Sequence, residues 1–217
     1  MAFDIIQIFK KSFVLLFVDP LLFGLALIYA IISIAFSIYS SYNIHLTALD
    51  ITSINVSNMY FILVYAVVIF LVSTFMSGMV FIRIVNKKQP INKIINKAVK
   101  RFSALIATTF LTGIIILAGL IAFIIPGIYL IFKLILAPVS SVVEEKSPIE
   151  ALKRSWSITF GNWWYLFALF VLLGIVVSIL ENLPYISYFF SFVLIISYPL
   201  VFIALTKKPK RSRHTYY

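Results

Sequence analysis

The sequence has no cysteine, and only 12% of its 217 residues are charged. Without cysteine, the chain can form no disulfide, no thiolate metal site and no cysteine nucleophile. In a soluble domain about a quarter of the residues are charged, whereas this chain is 63% hydrophobic. We therefore expect an integral membrane protein whose main solvent is lipid.

Acidic residues are scarcer still, with 7 Asp and Glu against 18 Lys and Arg. No predicted membrane span contains a carboxylate, and the two histidines, His45 and His214, fall on opposite sides of the predicted membrane. The sequence has no glycine-rich phosphate loop and no metal-ligand spacing. It therefore predicts no enzyme and no bound cofactor. The net charge of +11 is accompanied by no nucleic-acid recognition motif, so we expect no nucleic-acid partner.

Six apolar segments approach or exceed the ~20 residues that a helix needs to cross a bilayer. They are residues 21–42, 59–82, 103–125, 128–143, 163–180 and 185–205. The fourth segment is short, and it contains Lys133, the one charged residue inside a predicted span. Pro126-Gly127 is interpreted as the tight turn between the third and fourth spans, with Gly127 at positive φ.

The distribution of basic residues predicts the orientation of these spans. Every lysine and arginine except Lys133 lies before the first span, between spans two and three, between spans four and five, or after span six. Cytoplasmic connections of membrane proteins are enriched in Lys and Arg. We therefore expect a multipass plasma-membrane protein with both termini in the cytoplasm.

Three short amphipathic helices are predicted on that cytoplasmic side. Ser147-Pro148-Ile149-Glu150 has the residues of a capping box, with Pro in the first helical turn. The apolar face of the helix that follows is predicted to contain Ile149, Leu152, Trp156 and Phe160, and the opposite face Glu150, Lys153, Arg154 and Ser157. The stretch ends at Gly161-Asn162. Similar patterns occur near residue 10, ending at Asp19-Pro20, and from Pro90-Ile91 to Phe102. Such helices are typical of the membrane interface.

These patterns predict an internal repeat. Without gaps, Lys10-Lys11-Ser12-Phe13 aligns with Lys153-Arg154-Ser155-Trp156, and Asp19 aligns with Asn162. The predicted fold is a single all-α transmembrane domain, residues 1–206, followed by a basic cytoplasmic tail at 207–217. It has three parallel units, about 1–82, 90–143 and 147–205, each an interfacial helix followed by a two-span hairpin.

Basic and aromatic residues near the cytoplasmic interface are the predicted lipid contacts. They are Lys10, Lys11, Lys93, Lys97, Lys100, Arg101, Lys153, Arg154, Trp156, Trp163 and Trp164. Lysine and arginine attract anionic head groups, and tryptophan anchors at the interface. The tryptophans are interpreted as anchors in preference to a ligand cage.

Lys133 has three alternative interpretations. Its ammonium could snorkel to the outer surface, since Lys133 lies only about 9 Å along the helix from Gly127. It could form a buried ion pair with Glu181. It could also belong to a substrate or ion site, because charges inside spans are commonly functional.

Three stretches carry a family resemblance: Ile125-Pro126-Gly127-Ile128-Tyr129 followed by Lys133, the run from Ser147 to Trp156, and Gly161-Asn162-Trp163-Trp164. With these the chain resembles the six-span membrane domain fused to some glycerophosphodiester phosphodiesterases, and related stand-alone membrane proteins of bacteria and archaea. Members commonly have Arg where Lys133 stands. The resemblance implies a membrane fold without catalysis, because the soluble phosphodiesterase domain is absent.

Two functions remain open at this point. The first is a membrane-embedded interaction or organising protein that contacts anionic lipids through its basic helices, with any protein partner unidentified. The second is a transporter or lipid-handling protein with a path through the bundle near Lys133. A transporter predicts a polar cavity beside Lys133, and an organiser predicts a closed core.

Overall fold

The structure, a computed structural model, describes residues 4–48, 56–86, 89–180 and 186–206. Glu181 and the basic tail at 207–217 lie outside these residues. Within the described ranges the chain forms nine helices and no strand. The helices are α1 (Ile5–Val18), α2 (Pro20–Ala48), α3 (Val56–Val85), α4 (Ile91–Ala122), α5 (Ile124–Leu134), α6 (Ala137–Val143), α7 (Pro148–Ile158), α8 (Trp163–Leu180) and α9 (Ile186–Thr206).

Six helical segments of the described residues are long and apolar enough to cross a membrane. They are Pro20–Tyr39, Leu63–Val85, Ile91–Ala122, Ile124–Val143, Trp163–Leu180 and Tyr188–Thr206. The all-helical, six-span expectation is thus confirmed at the level of helix length and composition. The fourth segment starts at Ile124 and spans 20 residues, so it is not short as the sequence predicted.

The predicted turn at Pro126-Gly127 is wrong. The chain reverses three residues earlier, at Phe123, whose backbone is extended (φ −159°). Pro126 and Gly127 lie in the first turn of α5. A helix tolerates proline there because the backbone nitrogen at that position has no partner within the helix. Gly127 is required for another reason: a Cβ there would lie 2.7 Å from the Leu120 Cα of α4.

The separate amphipathic helix predicted from Pro90 to Phe102 is also absent. Ile91 begins a helix, as predicted, but α4 continues without a break to Ala122. No proline interrupts this stretch, and Phe102-Ser103 offers no glycine, asparagine or aspartate at which a helix would end. The basic first turns of α4 are therefore a rigid extension of the third span.

The centre of the bundle is formed by α3, α6 and α9, which contact one another. Ile82, Val139 and Ile196, one residue from each of these helices, are completely buried. The short helices α1 and α7 lie against this centre, α1 on α9 and α7 on α6, and the long helix α4 packs on α3. Leucine-rich α8 packs mainly on α9 and buries Leu166, Leu169, Leu173 and Val177.

Candidate functional site

Lys133 lies in the last turn of α5, and its side chain is only 1% exposed. Its Nζ atom lies 4.9 Å from the ring centroid of Phe160, 5.2 Å from that of Trp156 and 5.4 Å from that of Tyr129. Tyr129 precedes Lys133 by four residues on α5, so the two side chains share one helix face. Phe160 and Trp156 approach from α7 and the residues after it. Three aromatic rings thus surround one buried ammonium, an arrangement that stabilises a desolvated cation.

This environment excludes one of the three interpretations of Lys133. Snorkelling to the outer surface is wrong, because the side chain is turned inward beneath α7. The proposed partner Glu181 lies outside the described residues. The ion pairs of the described part of the chain leave Lys133 without a carboxylate. The charge is therefore held by ring faces.

The helix break next to Lys133 is closed by hydroxyl groups of the α7 segment. Between Leu134 and Ala137 the fourth span is interrupted, with Pro138 in the first turn of α6. Ser155 Oγ donates to the Lys133 carbonyl at 2.7 Å and accepts from the Leu136 N–H at 3.3 Å. Thr159 Oγ1 also reaches the Lys133 carbonyl, at 3.3 Å. Buried backbone groups need such partners, so α7 completes the hydrogen bonding of the fourth span.

Sequence reasoning did not find this role of Ser155. A signal was present: Leu136-Ala137-Pro138 places proline inside an apolar span, and proline within a span frees backbone groups that neighbouring helices must satisfy. The partner could not be identified from the sequence, because it depends on how α7 packs against the break.

Helix α7 begins as predicted. The Glu150 carboxylate accepts from the backbone N–H of Ser147 at 3.0 Å and from its hydroxyl at 2.8 Å. These two bonds hold the pKa of Glu150 below its ordinary value. The helix ends before Gly161, whose φ of +77° is an angle that glycine adopts readily and other residues rarely do.

Helix α7 has three faces, whereas the sequence predicted two. One face is buried against α4, α5 and α6 and contains Ala151, Leu152 and Ser155. A second face is exposed and apolar, with Ile149, Trp156 and, just beyond the helix, Phe160. The third is polar, with Glu150, Arg154 and Ser157. Leu152 therefore packs against the other helices and is not part of the exposed apolar face.

The predicted aromatic anchors join the cluster around Lys133. Trp163 stacks on Trp164 with centroids 4.0 Å apart, and it meets Tyr129 edge-on at 5.6 Å. Trp156 and Trp164 are exposed on one side. Trp156 is consequently both a surface residue and one wall of the cage around the chain's own lysine.

The remaining predicted basic residues gather at one end of the bundle. There, Lys97 of α4 pairs with Glu145 at 2.8 Å, and Arg154 of α7 donates from Nε and Nη2 to Glu144 at 2.9–3.0 Å. These pairs tie α4 and α7 to the segment that joins α6 to α7. Five further basic side chains at this end, which we call the basic end, are exposed: Lys10, Lys11, Lys93, Lys100 and Lys153.

A third ion pair was missed by the sequence analysis. Asp19, predicted only as a helix break, caps α2 by accepting from the Leu21 N–H at 3.1 Å and pairs with Arg83 Nε at 2.8 Å. Both side chains are largely buried. The pair joins the start of α2 to the end of α3, and the sequence shows no pattern linking two residues so far apart.

A family match covers the part of the chain that holds this site. Residues 92–208, just over half of the chain, match the family described as Domain of unknown function (DUF7847). The chain belongs to this family. No curated protein and no solved structure matches it. The DUF7847 region contains the Lys133 cage, α7 and most of the basic end, and it begins after α1, α2 and α3.

Proposed function

We propose that this DUF7847 protein is a non-catalytic, membrane-embedded organiser that gathers anionic lipids at its cytoplasmic face. The observation that carries this proposal is the basic end, where exposed lysines on α1, α4 and α7 lie next to exposed apolar side chains of the same helices. Such a helix buries its apolar side chains among acyl chains and holds its charges at head-group level. The plasma membrane, with both termini in the cytoplasm, is the location that the positive charge favours.

The proposed architecture is a set of three parallel units around an axis near the membrane normal. The gap-free alignment of Lys10 with Lys153 also pairs the buried Ile8, Ser12 and Leu16 of α1 with the buried Ala151, Ser155 and Thr159. It pairs the residues before each helix, Asp4 and Ser147, and the first residues of α2 and α8. A repeat predicts this agreement of burial and helix starts.

The packing order supports the same architecture. Each unit begins with a basic helix or basic first turns, and the helix concerned packs on the last helix of the preceding unit: α7 on α6, α4 on α3, and α1 on α9. The order closes into a ring, as a threefold arrangement requires.

The alternative, a transport path beside Lys133, lacks support from the geometry. A residue that lines a water-filled path is accessible to water, whereas Lys133 is shielded by Trp156, Phe160 and Tyr129. A cavity of about 420 Å³ next to this region is lined mainly by apolar side chains, among them Ile115, Leu130 and Leu134. We therefore propose the organising role alone.

The test of the proposed function is the lipid preference of the purified protein. The protein is reconstituted in bilayers of phosphatidylcholine and phosphatidylglycerol, and the lipids that remain bound are quantified. We expect phosphatidylglycerol to be enriched. The triple variant Lys10→Gln/Lys11→Gln/Lys153→Gln should lose much of this enrichment, since each basic residue near the surface contributes about 1 kcal/mol.

The matched control changes exposed polar residues of the same helices without changing charge, as in Gln7→Ser/Ser157→Gln. This control should retain the wild-type enrichment. Equal binding of both lipids by the wild-type protein would contradict the proposal.

A further inference from the structure

A basic cavity lies at the start of α4, where the chain after α6 passes over it. Its volume is about 520 Å³. It is lined by Lys93, Asn96, Lys97, Lys100, Arg101 and Glu145. Four of these six side chains are cationic and one is anionic. The cavity therefore has an excess of positive charge within a confined volume.

Arg101 is the residue that makes this cavity a specific site. Its Nε and Nη2 atoms are buried, and no described residue accepts a hydrogen bond from either. A guanidinium is always charged, and a buried donor that lacks an acceptor is destabilising. Nε and Nη2 are adjacent donors that can hold two oxygens of one phosphate at once. An oxyanion is thus the kind of acceptor that these two donors lack.

The environment of Glu145 shows the sign of the charge in the cavity. Its carboxylate is paired with Lys97, and the pKa of Glu145 is lowered, first by that lysine and then by Arg101 and Lys100. Because Glu145 satisfies Lys97, it leaves Lys93, Lys100 and Arg101 to bind a second anion.

The surroundings of the cavity favour a lipid over a soluble anion. The cavity lies at the first turns of α4, where the candidate span Ile91–Ala122 begins. The opposite face of these turns exposes the apolar Ile91, Ile95 and Val99, which a helix at a membrane interface buries among acyl chains. Lipid head groups are therefore the oxyanions found at the level of the cavity.

We propose that Arg101, Lys93 and Lys100 form a discrete site for the phosphate head group of one anionic phospholipid. This inference rests on the proposed function and sharpens it, because it assigns one stoichiometric lipid where the exposed lysines of α1 and α7 give diffuse enrichment. The bound lipid lies between α4 and the segment after α6, and it completes the hydrogen bonding of the Arg101 guanidinium.

Native mass spectrometry of the delipidated protein, titrated with phosphatidylglycerol, tests this site. We expect one lipid to bind more tightly than all others. In Arg101→Gln the affinity of this first lipid should fall at least about tenfold, which corresponds to roughly 1.4 kcal/mol. Lys10→Gln/Lys11→Gln should leave the first lipid unchanged and weaken the later ones. If Arg101→Gln does not fold, Lys93→Gln/Lys100→Gln, which changes two exposed residues of the same cavity, should show the loss instead.

The outcomes separate this inference from the proposed function. An unchanged first affinity in the folded cavity variants would overturn the discrete site, even where anionic lipid is still enriched overall. Displacement of the lipid by inorganic phosphate alone would overturn its assignment to a lipid. Loss of any preference for phosphatidylglycerol in the wild-type protein would overturn the proposed function as well.

Discussion

We expect Gly127→Ala to lower the thermal unfolding temperature of the detergent-solubilised protein by roughly 6–12 °C. A Cβ at this position would lie 2.7 Å from the Leu120 Cα and 2.5 Å from the Leu120 Cδ2. The first of these atoms is backbone, so α4 and α5 must move apart to admit the methyl group. We expect this to destabilise the protein by about 3 kcal/mol, at the upper end for overpacking, and a domain of this size shifts by about 2–4 °C per kcal/mol.

Gly113→Ala is the matched control for this prediction. Gly113 lies on α4, the helix that Gly127 of α5 approaches, but a Cβ there meets nothing within 4 Å. Alanine is a better helix former than glycine by about 1 kcal/mol, so Gly113→Ala should leave the unfolding temperature unchanged or raise it slightly. Equal unfolding temperatures for Gly127→Ala and Gly113→Ala would show that α4 and α5 do not approach closely at Gly127.

Ser155→Ala is the second substitution with a large expected effect. It removes the hydroxyl that bridges the Lys133 carbonyl and the Leu136 N–H, in a position that is 0% exposed. Thr159 retains a bond to that carbonyl, but the Leu136 N–H loses its partner where water cannot replace it. We expect a loss of about 2–3 kcal/mol, measured as a fall of roughly 4–12 °C in unfolding temperature.

The internal alignment provides a control at the equivalent residue of α1. Ser12 is equally buried, but its hydroxyl donates to Ile8 O within its own helix, at 3.0 Å. Removing this hydroxyl leaves the Ile8 carbonyl inside α1, where it takes part in the hydrogen bonding of the helix. Ser12→Ala should therefore shift the unfolding temperature by no more than about 2 °C. A shift as large as that of Ser155→Ala would contradict the role assigned to the α5–α6 break.

The sequence predicted the features that depend on local composition. The spans follow from the length of apolar runs, the start of α7 from the Ser147 and Glu150 pair, and its end from Gly161. These signals lie within a few residues of the structure that they determine. Where a signal had two local meanings, the prediction was wrong: Pro126-Gly127 has the composition of a turn, but its glycine serves the contact between α4 and α5.

The features that the sequence did not predict depend on residues far apart in the chain. The burial of Lys133 needs the rings of Trp156 and Phe160, which α7 brings over α5. The ion pair of Asp19 with Arg83 needs α2 and α3 to be neighbours. The prediction that Lys133 snorkels used its distance along one helix, and this distance contains no information about what packs over the side chain.

We expect the basic end of the bundle to face the cytoplasm and the junction of α4 and α5 to face the opposite side. Because the chain has no cysteine, single introduced cysteines report on one position each. Asn92→Cys, exposed in the first turn of α4, and Phe123→Cys, 73% exposed just beyond its end, mark the two ends of one helix. In cells that express each variant, a membrane-impermeant maleimide should label Phe123→Cys directly and Asn92→Cys only after permeabilisation. Labelling of Asn92→Cys in intact cells would show that the start of α4 faces the outside and would contradict this orientation.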